Sequence, residues 1–304
     1  MDKKILPHIY KCLFVCCLLF ASKELFSQKA KQPLFRFGVV ADVQYANRDN
    51  HGTRHYLSSI KKLEEAVAVF NKEKIDFVIS LGDFINDTYK NFDTLNGITD
   101  KLKMPLHHVI GNHDYDVKDA EKQKVLKALN LKNDYYTFKK KNWKFLALNG
   151  IDISLIGNTE GSAQYKEAQQ MFDKLKAEGA ANAKPWNGTL SRVQINWMKN
   201  ELNKAKKKKQ NVIVLCHFPL YPYGSPHTLW NTSEIRNIIE AHPNVKGYLN
   251  GHVHVSQYFL KDGLHYVTFK GMVEKDDNAF AIISVFKDHL EIKGYGKEVD
   301  RILK

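Results

Sequence analysis

Five short, mostly apolar runs in this chain end abruptly in residues able to ligate a metal, and that recurrence constrains the fold more than any other feature. Phe37 to Ala41 leads into Asp42-Val43-Gln44, Val78 to Leu81 into Gly82-Asp83, and Val109-Ile110 into Gly111-Asn112-His113-Asp114. Val212 to Cys216 leads into His217, and Tyr248 to Asn250 into Gly251-His252-Val253-His254. The runs that end in this way, 35–40, 75–81, 106–110, 212–216 and 245–249, have strand length and are β-branched or apolar. Between them, apolar spacing predicts helices over 53–71, 92–102, 117–129 and 190–205, the first carrying Leu57, Ile60, Leu63, Val67 and Phe70 on one face. This alternation predicts an α/β core with largely parallel pairing, whose loops converge at the carboxyl ends of the strands. After Gly251 the helices stop. Runs over 255–260, 265–269, 279–286 and 290–293 read as an antiparallel meander. Residues 152–188, poorer in strand signal, read as an insertion near the mouth of the site.

Singly, each polar cluster has an ordinary explanation: Asp42 or Asp83 capping a helix, Asn112 completing a turn, His217 satisfied in the core. Together, in this order and all at strand ends, they favour one shared site. Carboxylates, amide oxygens and imidazole nitrogens without a thiolate suit Mn²⁺, Fe or Mg²⁺ better than a closed tetrahedral zinc site. Asp42, Gln44, Asp83, Asn112, His217, His252 and His254 are too many for one ion with an open position. They suit two divalent ions bridged by a carboxylate, an arrangement that clamps a phosphoryl group.

Composition narrows the reading further. With 304 residues, 43% hydrophobic and 26% charged, the chain can bury a sizeable core and is not a disordered one. No linker or repeat divides residues 29–304, so they read as one domain. The formal charge of +13 points to an anionic substrate or partner. Lys206 to Lys209 read as the solvated end of a helix, with none of the interleaved aromatics that a nucleic-acid groove needs, so no nucleic-acid partner is expected. Residues 1–28 read as a signal peptide: a charged start, the apolar run Cys12 to Ala21, then a polar stretch. Ten apolar residues rise only ~15 Å as a helix, too little to cross a ~30 Å hydrocarbon core. The mature chain is therefore expected to be exported, periplasmic or secreted, with no transmembrane segment. Bulky Phe14 and Val15 disfavour lipidation at Cys16. Removal of the leader leaves Cys216 as the single cysteine, read as a small buried hydrophobe.

Asp42-x-Gln44, Gly82-Asp83, Gly111-Asn112-His113-Asp114, His217 and Gly251-His252-x-His254 resemble the five signatures of the calcineurin-like metallophosphoesterases, over residues 35 to 304. The resemblance implies a four-layer αββα sandwich, two central β-sheets flanked by helices. It implies a first metal held by Asp42, Gln44, Asp83 and His254 and a second held by Asp83, Asn112, His217 and His252, with Asp83 bridging. It also implies that His113, oriented by Asp114, donates to the phosphate or leaving oxygen.

Most of that superfamily carries Asp-x-His where this chain has Asp42-Val43-Gln44. An amide oxygen is the harder ligand and favours Mn²⁺. In this respect, and in Gly52-Thr53-Arg54, Met104-Pro105-Leu106-His107-His108, Leu220-Tyr221-Pro222, Leu229-Trp230-Asn231 and the C-terminal Lys293-Gly294 and Asp300-Arg301-Ile302, the chain is similar to manganese-dependent ADP-ribose/CDP-alcohol diphosphatases. The implied reaction is hydrolysis of the pyrophosphate link of a small nucleotide-type substrate by a metal-bridging hydroxide. Arg54, Tyr223, Trp230 and Asn231 are the candidate substrate-binding residues. Two features depart from the subfamily pattern: Asp114 stands in place of a Glu, and the loop Arg48-Asp49-Asn50-His51 lacks an aromatic, which would broaden base preference. A phosphodiesterase acting on cyclic nucleotides or other diesters is the alternative enzyme, and a non-catalytic binding module is the alternative class; a monomer is expected. Exported protein should lack residues 1 to about 28 by intact mass, and a full-length mass in the soluble fraction would contradict the leader.

Overall fold

The computed structural model describes residues 32–304; the proposed leader lies outside them. In chain order the elements are β1 (Phe35–Val40), α1 (Ser58–Lys72), β2 (Phe77–Ser80), α2 (Asn91–Thr99), β3 (Leu106–His108), α3 (Asp119–Lys122), α4 (Val125–Ala128), β4 (Tyr136–Lys140), β5 (Trp143–Ala147), β6 (Ile153–Ser154) and α5 (Ala163–Ala177). They continue as β7 (Gly188–Thr189), α6 (Arg192–Lys207), β8 (Asn211–Leu215), α7 (Thr232–Glu240), β9 (Val245–Asn250), β10 (Gln257–Lys261), β11 (Leu264–Thr268), β12 (Ala279–Val285), β13 (Leu290–Gly296) and β14 (Arg301–Leu303).

Two six-stranded sheets form, in the orders β14-β13-β12-β1-β2-β3 and β10-β11-β9-β8-β5-β4. β1, β2 and β3 run parallel in the first, and β5, β8, β9 and β11 in the second. The period-two side-chain pattern explains the layering. Phe35, Phe37 and Val39 of β1 pack with Phe145, Ile213 and Leu249 from the other sheet in a core between the sheets. Val40 and Val78 face outward onto Leu63, Val67 and Phe70 of α1, while Val212, Val214 and Tyr248 face Ile195, Met198 and Leu202 of α6. Helix, sheet, sheet, helix is the four-layer sandwich expected.

Three expectations change. The C-terminal strands are not one meander: β10 and β11 join the second sheet, and β12 to β14 extend the first. The chain crosses between layers at 269–278, where Gly271 lies so close to His254 that a Cβ would stand 2.8 Å from its ring. The helix expected over 117–129 is reduced to the one-turn helices α3 and α4, because Val125 is the one buried residue in them. A helical stretch with so little apolar face has no packing to hold it. The first long helix starts at Ser58 rather than at 53, since Arg54 bridges to His51 and Glu274 and the His55 amide bonds Val273 O.

Phe37 is fully buried at the centre of the inter-sheet core, stacked on Phe77 at 5.1 Å and edge-on to Phe145 at 5.6 Å. Phe37→Ala should cost about 3–5 kcal/mol of stability, read as a lower thermal or denaturant midpoint. A change within experimental error would show that the sheets do not depend on this contact.

Candidate metal centre

The singled-out residues come together at the carboxyl ends of the parallel strands, from both sheets. Asp42 and Gln44 follow β1, Asp83 follows β2, Asn112 follows β3, His217 follows β8, and His252 and His254 follow β9. Backbone pairing continues past the strands and aligns the loops: the Asp42 amide bonds Gly82 O at 3.2 Å, Gln44 bonds Asp83 O at 2.9 Å, and Gly251 bonds His217 O at 3.1 Å. Asp42, Gln44, Asp83, His252 and His254 all take left-handed backbone conformations, with φ of 50°, 42°, 52°, 70° and 62°. Each costs about 1–2 kcal/mol for an L-residue, and together they turn the side chains back over the strand ends. Glycines make room. A Cβ on Gly111 would lie 2.2 Å from the Asp83 amide nitrogen, and one on Gly251 would lie 2.4 Å from Asp42 Oδ2.

The donor atoms crowd together. His217 Nε2 stands 3.1 Å from Asp83 Oδ2, His254 Nε2 stands 3.3 Å from Asp42 Oδ1, and His252 Nδ1 stands 3.1 Å from His217 Nε2. Gln44 Nε2 is 3.0 Å from Asp83 Oδ2 and 3.1 Å from His254 Nε2. Asp83, His217 and His252 each offer an atom within 4.8 Å of the others. Gln44 Oε1, Asn112 Oδ1 and His252 Nε2 are buried with no hydrogen-bond partner. Such orphaned acceptors are costly unless something binds them, and these belong to residues of the expected ligand set, so the donor set fits divalent cations.

Neighbouring groups orient the imidazoles. His217 Nδ1 donates to Leu81 O at 2.8 Å and His254 Nδ1 to Glu274 Oε1 at 2.7 Å, which leaves each Nε2 toward the carboxylates. Sequence reasoning missed Glu274. It rides on the inter-sheet crossover, which is pinned by the Met272 amide on Ala41 O and the Val273 amide on Asp42 O. Buried Lys62 adds to this by donating to Met272 O and Lys275 O. Its ammonium is pushed down to about 8 by burial and then by Lys297. A lysine on the apolar side of a predicted helix was the available signal.

Asp114 does not orient His113. Its fully buried carboxylate accepts from the backbone amides of Phe84, Gly111, Asp83 and Ile85 at 2.7 to 3.3 Å, tying the two glycine loops together. Burial and the adjacent Asp83 charge push its carboxyl up, against the amide donors. The His113 ring is held instead by Nδ1 donating to Asn86 O at 3.0 Å, with Asp116 at 3.8 Å.

A cleft of about 340 Å³ opens over the centre, and beyond Gln44, Asp83, Asn112, His113 and His252 it is walled by Arg54, Asp116, Ile156, Trp186 and His227. Of the four residues expected to bind substrate, Arg54 alone lines it. Trp230 is 5% exposed, packed with Ile153 and Ala168 in a small cluster, because its indole is large and its Nε1 finds Lys184 O at 3.2 Å. Tyr223 is exposed away from the cleft, under the Arg236 guanidinium at 3.8 Å. Asn231 precedes α7 without capping it. Trp186 and His227 were missed, being single residues inside an irregular segment.

Burial lowers the His217 imidazole but Asp83 and then Asp42 outweigh it, raising it to about 9; for His254, Asp42 and Glu274 do the same, again to about 9. Both rings are thus protonated below about pH 9 in the ion-free protein. A cation binding at Nε2 must displace a proton. Metal affinity should therefore rise as pH rises from 6 to 9, and loading at neutral pH should release protons, measurable with a pH indicator in weak buffer. Loading without proton release would contradict this charge state.

Comparison with known proteins agrees with the geometry. Residues 35–256 match the family described as calcineurin-like phosphoesterase. A manganese-dependent ADP-ribose/CDP-alcohol diphosphatase of Xenopus tropicalis is 31% identical over 329 residues, spanning 91% of this chain and 96% of its own. The Arabidopsis thaliana protein of the same description is 31% identical, spanning 87% and 95%. The crystal structure of a dimetal phosphatase from Danio rerio shares the fold with a TM-score of 0.81 at 24% identity, over 90% of this chain and 99% of that one.

Proposed function

The chain belongs to the calcineurin-like phosphoesterase family, and we propose that it is a manganese-dependent hydrolase of the pyrophosphate link in small nucleotide derivatives such as ADP-ribose or a CDP-alcohol. The observation that carries this reading is the convergence of seven oxygen and nitrogen donors from both sheets, three of whose buried donor atoms lack any partner. Asp42, Gln44, Asp83 and His254 would hold one cation and Asp83, Asn112, His217 and His252 the other. Divalent ions held there would supply Lewis-acid stabilisation of phosphoryl charge and activation of water.

The chain's own side chains do the rest. With Nδ1–H committed to Asn86 O, His113 presents Nε2 to the leaving phosphate oxygen and, as the imidazolium, donates its second proton there. Arg54, on the cleft wall, supplies fork-like donors to a second phosphate. Trp186, 39% exposed and the one aromatic of Phe, Tyr or Trp type on that wall, offers a stacking face to a base. Trp230 holds that wall from behind through Lys184 O and its own amide on Gly188 O. Export rests on the sequence of residues 1–28, with its charged start and short apolar run.

Asp83→Ala should abolish activity and metal content more completely than Gln44→Ala, because Asp83 would touch both ions and Gln44 supplies one neutral ligand. Two ions retained in the Asp83 variant, by elemental analysis, would sink the assignment. The substrate class is tested with Mn²⁺ on a panel of ADP-ribose, CDP-choline, cyclic AMP and an aryl phosphodiester. Faster turnover of either diester than of both pyrophosphates would replace the reading with a phosphodiesterase. Trp186→Ala should raise KM for ADP-ribose about 5- to 100-fold, the range of one lost base stack, with kcat little changed; an unaltered KM would remove Trp186 from recognition.

A further inference from the structure

Along the strand direction, one pole of this protein concentrates exposed lysines. The metal-competent residues stand at the carboxyl ends of the parallel strands. At the opposite pole β1, β2, β3, β5, β8, β9 and β11 begin, and β4, β12 and β14 finish, as their registers require. Exposed lysines crowd this pole: Lys72 and Lys74 at the end of α1, Lys103 before β3, Lys139 and Lys141 at the β4–β5 turn, and Lys206 to Lys209 at the end of α6. None of these makes an ion pair with a described residue.

The acids of the same pole are largely engaged. Asp76 is held by Lys140 and the Arg36 amide, Glu73 by Arg36, and Glu201 by Lys144 and Lys204. Asp262 pairs with Lys261, and Glu291 with His289, while Asp100 is exposed among the lysines. A cleft of about 250 Å³ between the two sheets opens here, its apolar floor of Trp143, Phe286 and Leu303 bordered by Lys246, Lys287 and Lys304 and by Asp288, which pairs with His289. β1 also enters the body from this side, with the Leu34 amide on Val285 O.

We propose that this lysine pole docks the protein on an anionic phospholipid surface, with the metal-centre cleft turned toward solution. Lysines on separate turns present a broad array of point charges, which suits the diffuse negative potential of a bilayer. A nucleic-acid site would call for a groove, arginine forks or stacked rings, and no exposed Phe, Tyr or Trp lies among these lysines. The inference stands independently of the substrate assignment.

Exported protein, its mass checked, would be sedimented with vesicles of phosphatidylcholine alone or mixed with phosphatidylglycerol, at about 0.1 M and about 1 M salt, where the Debye length falls from ~10 Å to ~3 Å. Binding is expected to the anionic vesicles alone and to disappear at high salt. The fourfold variant Lys206→Gln, Lys207→Gln, Lys208→Gln, Lys209→Gln should bind at least about a hundredfold more weakly, at roughly fivefold per lysine. The separate pair Lys139→Gln, Lys141→Gln should lose about tenfold or more on the same scale, and both variants should keep the parent unfolding midpoint. The proposal is overturned by no binding to anionic vesicles, by equal binding to both lipids, by variants that bind like the parent, or by displacement from vesicles by duplex DNA at lower charge concentration.

Discussion

Asp83 is the side chain on which the two halves of the molecule close. Its Oδ2 faces His217, delivered by the second sheet, and Gln44, delivered by the first, while its Oδ1 accepts the His113 amide at 2.8 Å. Burial alone would favour its neutral form, but the charges of His217 and His113 outweigh it and hold the carboxyl well below the usual range. A buried carboxylate surrounded by imidazoles from both sheets is stable only if those imidazoles are protonated or if cations replace their protons. The sheets must therefore stay in register, which the ring cluster of Phe37, Phe77 and Phe145 enforces below the site.

The site is assembled under strain that the surrounding fold holds in place. Left-handed backbone at Asp42, Gln44, Asp83, His252 and His254 persists because ladder hydrogen bonds run on past the strands and because Asp114 gathers four amides from two loops. Strain concentrated at ligand positions presets the donors, so less ordering is left to be done when cations arrive. Glu274 and Lys62 extend the same logic outward, since the crossover between sheets is also the support of His254.

Charge has been arranged on a larger scale as well. The metal-competent carboxylates and histidines gather at one end of the strands, and a cluster of exposed lysines at the other. The cleft wall, with Arg54 and Trp186, belongs to the first end and governs what small molecule enters. The lysine pole is separated from it by the length of the strands, so it can meet a second, larger anionic surface without obstructing the cleft.

Sequence by itself determined which metal-competent residues would converge, and its family resemblance implied the layer architecture. Short apolar runs ending in Asp, Asn, Gln, Gly and His are a local pattern, and strand-end loops in an α/β core have one place to converge. The spacing of Leu63, Val67 and Phe70 likewise declared the face that α1 packs on the sheet. Tertiary structure alone decided the rest. The last strands divide between two sheets because pairing partners lie far apart in sequence, and no local signal distinguishes a hairpin in one sheet from a crossover to the other. His113 is oriented by Asn86 O, and Asp114 turns to backbone amides, because loop geometry, not adjacency in the chain, sets hydrogen-bond partners. Trp230 went inside and Trp186 to the cleft wall for the same reason: an indole's fate depends on the space available around it, and that space is made by residues 153, 168 and 172 folding over it.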